Sequence, residues 1–273
     1  MKRNVRLVVL LLAGAILMTA AAAPASQTPS ESNLVYVHAT AIESGGRFVT
    51  GISKDQFRIF EDNVPQNIAS FSANDIPMTV GILLDVEASA REQARKMALD
   101  SLTRNSLSSN EVFIDDAGGS PLNDAVYQSL NKLLKGRNES RALVLMTTRN
   151  DPAAKSFSKV REFLRNHDVR LYVIGIPARP DLASDQARSL LRELAKVSGG
   201  DAFFPTSAIQ VQDIYLKIGR ELRNQYRIGY RSTNAATDGK WRKIRINAEV
   251  TDKNKSVKLS VRTRTGYYAP AQK

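Results

Sequence analysis

The sequence predicts an α/β fold: a doubly wound, mostly parallel sheet, with a small antiparallel β module formed by both chain ends. Three observations carry that prediction. Between Met78 and Gln225 apolar strands alternate with amphipathic helices, the pattern of a parallel sheet covered on its faces. The runs ALVLM (from Ala142) and LYVIGI (from Leu171) are continuously apolar, as strands buried on both sides must be. Before and after that stretch the apolar residues recur at every second position, which is the period of a half-buried strand.

Taken in order, residues 1–25 read as an export signal. Lys2, Arg3 and Arg6 precede an apolar stretch over 7–23, and small residues follow around Ala23 and Ala25 where cleavage would fall. The apolar run is also close to the roughly 18 residues that a spanning helix needs, so an uncleaved membrane anchor is the alternative. Either way the chain is expected to be exported, to the periplasm or beyond. Residues 26–33 are polar, with nothing to bury, and form a flexible leader.

The amino-terminal β segment, 34–76, opens with Leu34, Tyr36 and His38 alternating with Val35, Val37 and Ala39. Gly45 and Gly46 mark a hairpin turn, Phe57, Ile59 and Phe60 a second strand, and EDNVPQ from Glu61 a turn leading to Ile68 and Phe71. In the α/β domain, 77–225, strands are expected over 79–85, 111–114, 142–147, 170–176 and 201–204. Helices are expected over 91–104, 121–135, 156–166, 184–198 and 211–225. Ser120 before Pro121 has the form of an N-cap with proline at the first helical position, and Gly199 with Gly200 that of a helix stop. The carboxyl-terminal segment, 226–270, returns to period two at Tyr226, Ile228 and Tyr230, at Trp241, Ile244, Ile246 and Ala248, and at Val257, Leu259 and Val261. DKNK from Asp252 is a polar hairpin loop. These strands are expected to pair with those of 34–76, since each set otherwise lacks a partner face.

Composition narrows the function classes. With 273 residues, 42% of them hydrophobic, there is material for a sizeable core, and with no cysteine there is no lipoprotein anchor, disulfide or thiolate metal site. The formal charge is +12; without Lys2, Arg3 and Arg6 it is 36 basic against 27 acidic residues, or +9. The cations are scattered (Arg91, Arg95, Arg188, Arg192, Lys217, Arg220), so no nucleic-acid partner is expected, while attraction to anionic cell-surface polymers stays open.

Catalytic signatures are absent from the sequence. His38 and His167 are its only histidines, one in a predicted strand and one at a predicted helix end, and there is no HExxH, GxSxG, GxxxxGK[ST] or helix-opening GxGxxG. Two acid pairs, Asp85 with Glu87 and Asp115 with Asp116, are the only basis for a two-carboxylate hydrolase, and no pocket signature accompanies them. The chain is therefore expected not to be an enzyme. The aromatics Phe203, Phe204, Tyr226, Tyr230, Trp241, Tyr267 and Tyr268 read as core residues, from which a surface subset could serve as a binding anchor.

The most informative stretch is MTVGILLDVEAS, from Met78: an apolar strand that delivers Asp85, Glu87 and Ser89 at its carboxyl end, where open α/β sheets build their sites. This stretch resembles the von Willebrand factor type A domain, and so do VTGISKDQFRIFEDNVPQNIASFS (from Val49), GGSPLNDAVYQSL (from Gly118), RALVLMTT (from Arg141), LRELAKVSGGDAFFP (from Leu191), IGRELRNQYRIGY (from Ile218), DGKWRKIRI (from Asp238) and GYYAP (from Gly266). The chain is similar in particular to the exported bacterial proteins called VWFA-related.

The resemblance implies a protein-binding, adhesion-type role and a magnesium ion held by loops at the sheet's carboxyl edge. Asp85 stands at the family's first aspartate, Glu87 in place of its first serine, Ser89 at its second serine, Ser120 in place of its threonine and Thr148 in place of its later aspartate. The candidate metal ligands are thus Asp85, Glu87, Ser89 and Ser120, in a degenerate site, because magnesium demands near-ideal octahedral oxygen geometry. In the alternative, Ser89 and Ser120 cap helices, Asp85 accepts backbone hydrogen bonds, and no cofactor is bound. Between Val112 and Gly118 the chain is also shorter than the family, by one edge hairpin of the sheet. The expected partner is a protein, recognised without a metal; the second expectation is an envelope scaffold held to anionic polymers by its basic charge.

Overall fold

The computed structural model describes residues 34–271 apart from 74–75, 104–106, 150–156, 177–184 and 253–254. The expected export signal and leader lie outside the described residues. Those described belong to one compact unit, Leu34–Lys273. Its strands are β1 (Val35–Ile42), β2 (Phe57–Glu61), β3 (Val64–Gln66), β4 (Ile68–Ala73), β5 (Met78–Asp85), β6 (Glu111–Asp116), β7 (Ser140–Thr147), β8 (Val169–Gly175), β9 (Ala202–Phe203), β10 (Tyr226–Tyr230), β11 (Trp241–Asp252), β12 (Lys255–Thr263) and β13 (Gly266–Tyr268). Its helices are α1 (Ala88–Leu102), α2 (Leu122–Leu134), α3 (Ser158–Asn166), α4 (Asp185–Ser198) and α5 (Ala208–Arg223).

The expected architecture, one doubly wound parallel sheet with a small β annex, is corrected by the strand pairing. The larger sheet is antiparallel and has eight strands in the order β3-β2-β11-β12-β1-β10-β4, with β13 also on β11; a separate parallel sheet has five, β6-β5-β7-β8-β9. Two features enlarge the antiparallel sheet beyond expectation. Asp62 and Asn63 adopt positive φ (47° and 68°), so EDNVPQ is a two-residue hairpin turn followed by a further strand, β3, instead of a longer loop. The 12-residue β11 is long enough to pair with β2, β12 and β13 along its length.

The large sheet curls into a nearly closed barrel. Phe57 on β2 and Phe71 on β4 lie near opposite ends of the strand order, yet their ring centroids are 5.6 Å apart, and Tyr226 on β10 sits 4.9 Å and 5.8 Å from the two. Alternation fills the interior: Phe57 and Ile59 from β2, Val37, Ala39 and Ala41 from β1, and Ile244, Ile246 and Ala248 from β11 are buried together, while Arg58 and Asn247 point outward.

In the parallel sheet the same period of two serves two faces. Leu83, Leu143, Leu145, Leu171 and Val173 pack against α2, α3 and α4; Ile82, Leu84, Val144, Met146, Tyr172 and Ile174 pack against α1 and α5. Since β6 and β7 flank β5 on opposite sides, and the helices that follow β5 and β7 lie on opposite faces, a crevice opens at the carboxyl ends of β5 and β7.

The two sheets meet across close backbone contacts. After α4, Gly199 takes φ +83°, its N–H bonds Lys196 and that of Gly200 bonds Ala195, the double bond of a Schellman stop. A Cβ on Gly199 would lie 2.5 Å from the Arg264 backbone, and one on Gly200 would lie 2.0 Å from the Leu171 carbonyl oxygen. Gly199 is therefore required both by the turn and by the approach of the chain at the end of β12, and Gly200 by the approach of β8. Arg262 of β12 completes the seam, with Nη1 2.6 Å from buried Glu221 of α5 and Nη2 2.7 Å from Asp201.

Candidate functional site

Asp85 and Thr147 end adjacent strands in direct register. Parallel pairing thus delivers both side chains to the crevice at the carboxyl edge. Asp85 Oδ2 accepts a 2.6 Å hydrogen bond from Thr147 Oγ1, and its Oδ1 lies 2.6 Å from Arg149 Nη2. The Arg149 Nη1 reaches across to donate to the Ser120 carbonyl oxygen at 2.6 Å, while the Arg149 backbone N–H donates to Thr147 Oγ1 at 3.1 Å. Thr148 closes the strand end by donating its N–H to the Asp85 carbonyl oxygen at 3.0 Å. The Asp85 side chain is 4% exposed and that of Arg149 36%, so a buried carboxylate is neutralised by a cation that solvent reaches.

The candidate metal ligands are not brought together. Glu87 is the exposed N-cap residue of α1 and makes no side-chain capping bond; Ser89 is exposed in the first turn. Among the described residues neither bonds to Asp85. Ser120 is exposed and contributes its carbonyl oxygen to Arg149; the cap of α2 is Pro121, without a side-chain capping bond, which corrects the expected Ser120 cap. Asp85 accepts from a hydroxyl and a guanidinium, so the expected backbone bonds to its carboxylate are corrected as well.

A magnesium ion is the group that the resemblance implies, and these residues do not fit it. Magnesium needs carboxylate and hydroxyl oxygens free to complete an octahedron. Here both Asp85 oxygens are engaged, and a guanidinium, itself positive, lies against one of them. Among the described residues no three histidine, aspartate or glutamate side chains converge on a point that could hold a metal.

The second acid pair is spoken for. Asp115 accepts from Ser129 Oγ at 3.2 Å and lies 2.5 Å from Lys132 Nζ; Asp116 pairs with Arg95 at 3.0 Å and Arg91 at 3.6 Å. The histidines occupy structural positions. His167 stacks on Phe163 with centroids 4.4 Å apart, and burial, followed by the charges of Arg264 and Arg141, lowers its pKa. His38 of β1 places Nδ1 2.8 Å from Asp168 Oδ2, tying the barrel to the start of β8. Burial alone would raise the Asp168 carboxyl, but the His38 interaction, with Arg264 and Arg170, outweighs it and holds the pKa at about 2.

Sequence reasoning overlooked Arg149, Thr147 and the His38–Asp168 pair. The position that the resemblance gives to an aspartate is held by Thr148, and the cation beside it, Arg149, acquires a role only once the strand register sets it next to Asp85. No family model matches the chain, and no curated protein matches it. The resemblance to von Willebrand factor type A domains stands on its quoted phrases alone.

Proposed function

We propose that the protein is an exported, non-enzymatic recognition module whose carboxyl sheet edge binds another protein without a metal. The observation that carries this reading is the guanidinium of Arg149, paired with Asp85 and bonded to Ser120. It supplies the fixed positive charge that a metal would otherwise bring to the edge, and it keeps part of its surface open to solvent. Arginine suits the task, because its planar fork presents several donors at once to a partner's carboxylates or carbonyls. The phrases shared with exported VWFA-related proteins are the second support for an interaction role.

Site-specific photo-crosslinking on the producing cells tests it. A crosslinker at Ser89, on the edge, should yield a discrete protein adduct that persists in chelator, whereas one at Lys135, at the far end of α2, should not. Equal labelling from both positions, or loss of the adduct with chelator, contradicts the proposal.

A second reading, attachment to anionic envelope polymers, is favoured by one feature. A cleft of about 570 Å³ between α4 and the β11–β12 hairpin is lined by Arg192, Lys196, Arg245 and Arg264, while Arg262 on its wall is already paired with Asp201 and Glu221. Polymer attachment of this kind should be released by raising ionic strength, which screens charges beyond a Debye length of about 10 Å at 0.1 M salt, and a packed protein interface should persist.

A further inference from the structure

A second cavity, of about 330 Å³, lies beside the recognition edge between α1 and the start of α5. Its walls are apolar: Ala94 and Met97 from α1, Met146 from the end of β7, Ile176 and Val211. The volume falls at the lower end of small-molecule pockets, roughly 300–1,000 Å³. Among the described residues one charged side chain, Arg188 of α4, lines it. The Arg188 guanidinium is held over the Phe204 ring at 5.4 Å, its Nε is buried, and among the described residues that Nε has no hydrogen-bond partner and the side chain no ion pair. A buried donor without an acceptor costs stability, roughly what a lost hydrogen bond does, unless a ligand supplies the acceptor.

The opening of α5 reinforces the sign of the charge that is wanted. Ser207 caps that helix, accepting from the Gln210 N–H, and both Ser207 and Ala208 line the cavity. The helix therefore turns its positive end, with first-turn N–H groups, towards the same space as Arg188. The combination is an apolar chamber with an anion-seeking rim. An apolar ligand without charge would leave Arg188 Nε buried and unsatisfied, and a small polar anion would leave the methionine and isoleucine walls uncovered.

We propose that this cavity binds an aliphatic monocarboxylate, with its chain between α1 and α5 and its carboxylate against Arg188. The site is independent of protein recognition at the Asp85 edge and stands or falls without it.

Calorimetric titration of the full chain with decanoate and with 1-decanol tests the assignment. Saturable decanoate binding, at least tenfold tighter than decanol, is expected. Arg188→Gln should reduce decanoate to the decanol level while leaving decanol unchanged, and Ala90→Phe, which places a ring at the cavity mouth on the exposed side of α1, should abolish both without lowering the melting temperature. Absence of saturable decanoate binding, equal affinity for acid and alcohol, or decanoate binding that survives Ala90→Phe overturns the proposal. Should Arg188→Gln fail to fold, the wild-type ratio of acid to alcohol and the Ala90→Phe result decide it together.

Discussion

Glu61 and Asp85 are both buried carboxylates, 2% and 5% exposed, and the two sheets satisfy them in opposite ways. Inside the barrel Glu61 accepts from Tyr230 and Tyr267, each at 2.8 Å, and from Ser232 at 2.6 Å: three neutral donors from the carboxyl-terminal segment and, among the described residues, no cation. Burial, followed by the hydrogen bond to Glu61, raises both phenols, Tyr267 to about 12, so that they stay protonated as donors. At the open edge of the parallel sheet Asp85 has one hydroxyl and one half-exposed guanidinium. A network closed by hydroxyls is rigid and self-sufficient. A carboxylate balanced by a solvent-accessible arginine leaves charge and donors open to solvent, and this contrast separates a closed internal tie from the edge proposed for recognition.

Removing each carboxylate or its partner probes the contrast. Glu61→Ala strands the buried Tyr230 hydroxyl, leaves the part-buried Tyr267 and Ser232 hydroxyls without their shared acceptor and opens a cavity, with an expected loss of about 2–3 kcal/mol in urea unfolding. A loss below about 1 kcal/mol would break the view of Glu61 as the barrel's internal tie. Arg149→Ala leaves Asp85 buried without a counter-charge. The expected cost is about 2 kcal/mol, less than the roughly 3–5 kcal/mol of a fully buried pair because Arg149 is 36% exposed. Arg149→Lys should recover only part of it, since one ammonium cannot span Asp85 and the Ser120 carbonyl as the guanidinium does.

A third carboxylate, Asp168, lies at the seam between the sheets and reports on pH. Its pKa of about 2 is below the unfolded value of roughly 3.9. The folded state therefore prefers its charged form, and the corresponding stability, up to about 2 kcal/mol, is fully present above pH ~4 and is lost as pH falls through about 2. Asp168→Asn should remove that slope, so wild type and variant converge in acid. Parallel curves down to pH 2 would show that the His38 contact does not hold the seam.

What the sequence made legible was local. Period-two runs and amphipathic repeats located strands and helices within a few residues, and Gly199–Gly200 was readable as a stop because the positive φ that ends the helix, taken by Gly199, favours glycine. Sheet size was not legible. β3 hides behind a proline at Pro65, β13 is three residues long, and the curl that brings Phe57 to Phe71 depends on contacts far apart in the chain. The candidate site divides the same way. Asp85 was findable because it ends a strongly apolar strand. Arg149 was not, because a single cation after a strand acquires meaning only when parallel register sets it beside that aspartate.

The central claim is that Arg149, and not a metal, neutralises Asp85. Thermal unfolding of wild type and Asp85→Ala titrated with magnesium, manganese and calcium tests it most directly, because a ligand specific for the folded state must raise apparent stability. Unchanged melting temperatures in both proteins at millimolar cation are expected. A saturable rise in the wild type that Asp85→Ala abolishes would contradict the account.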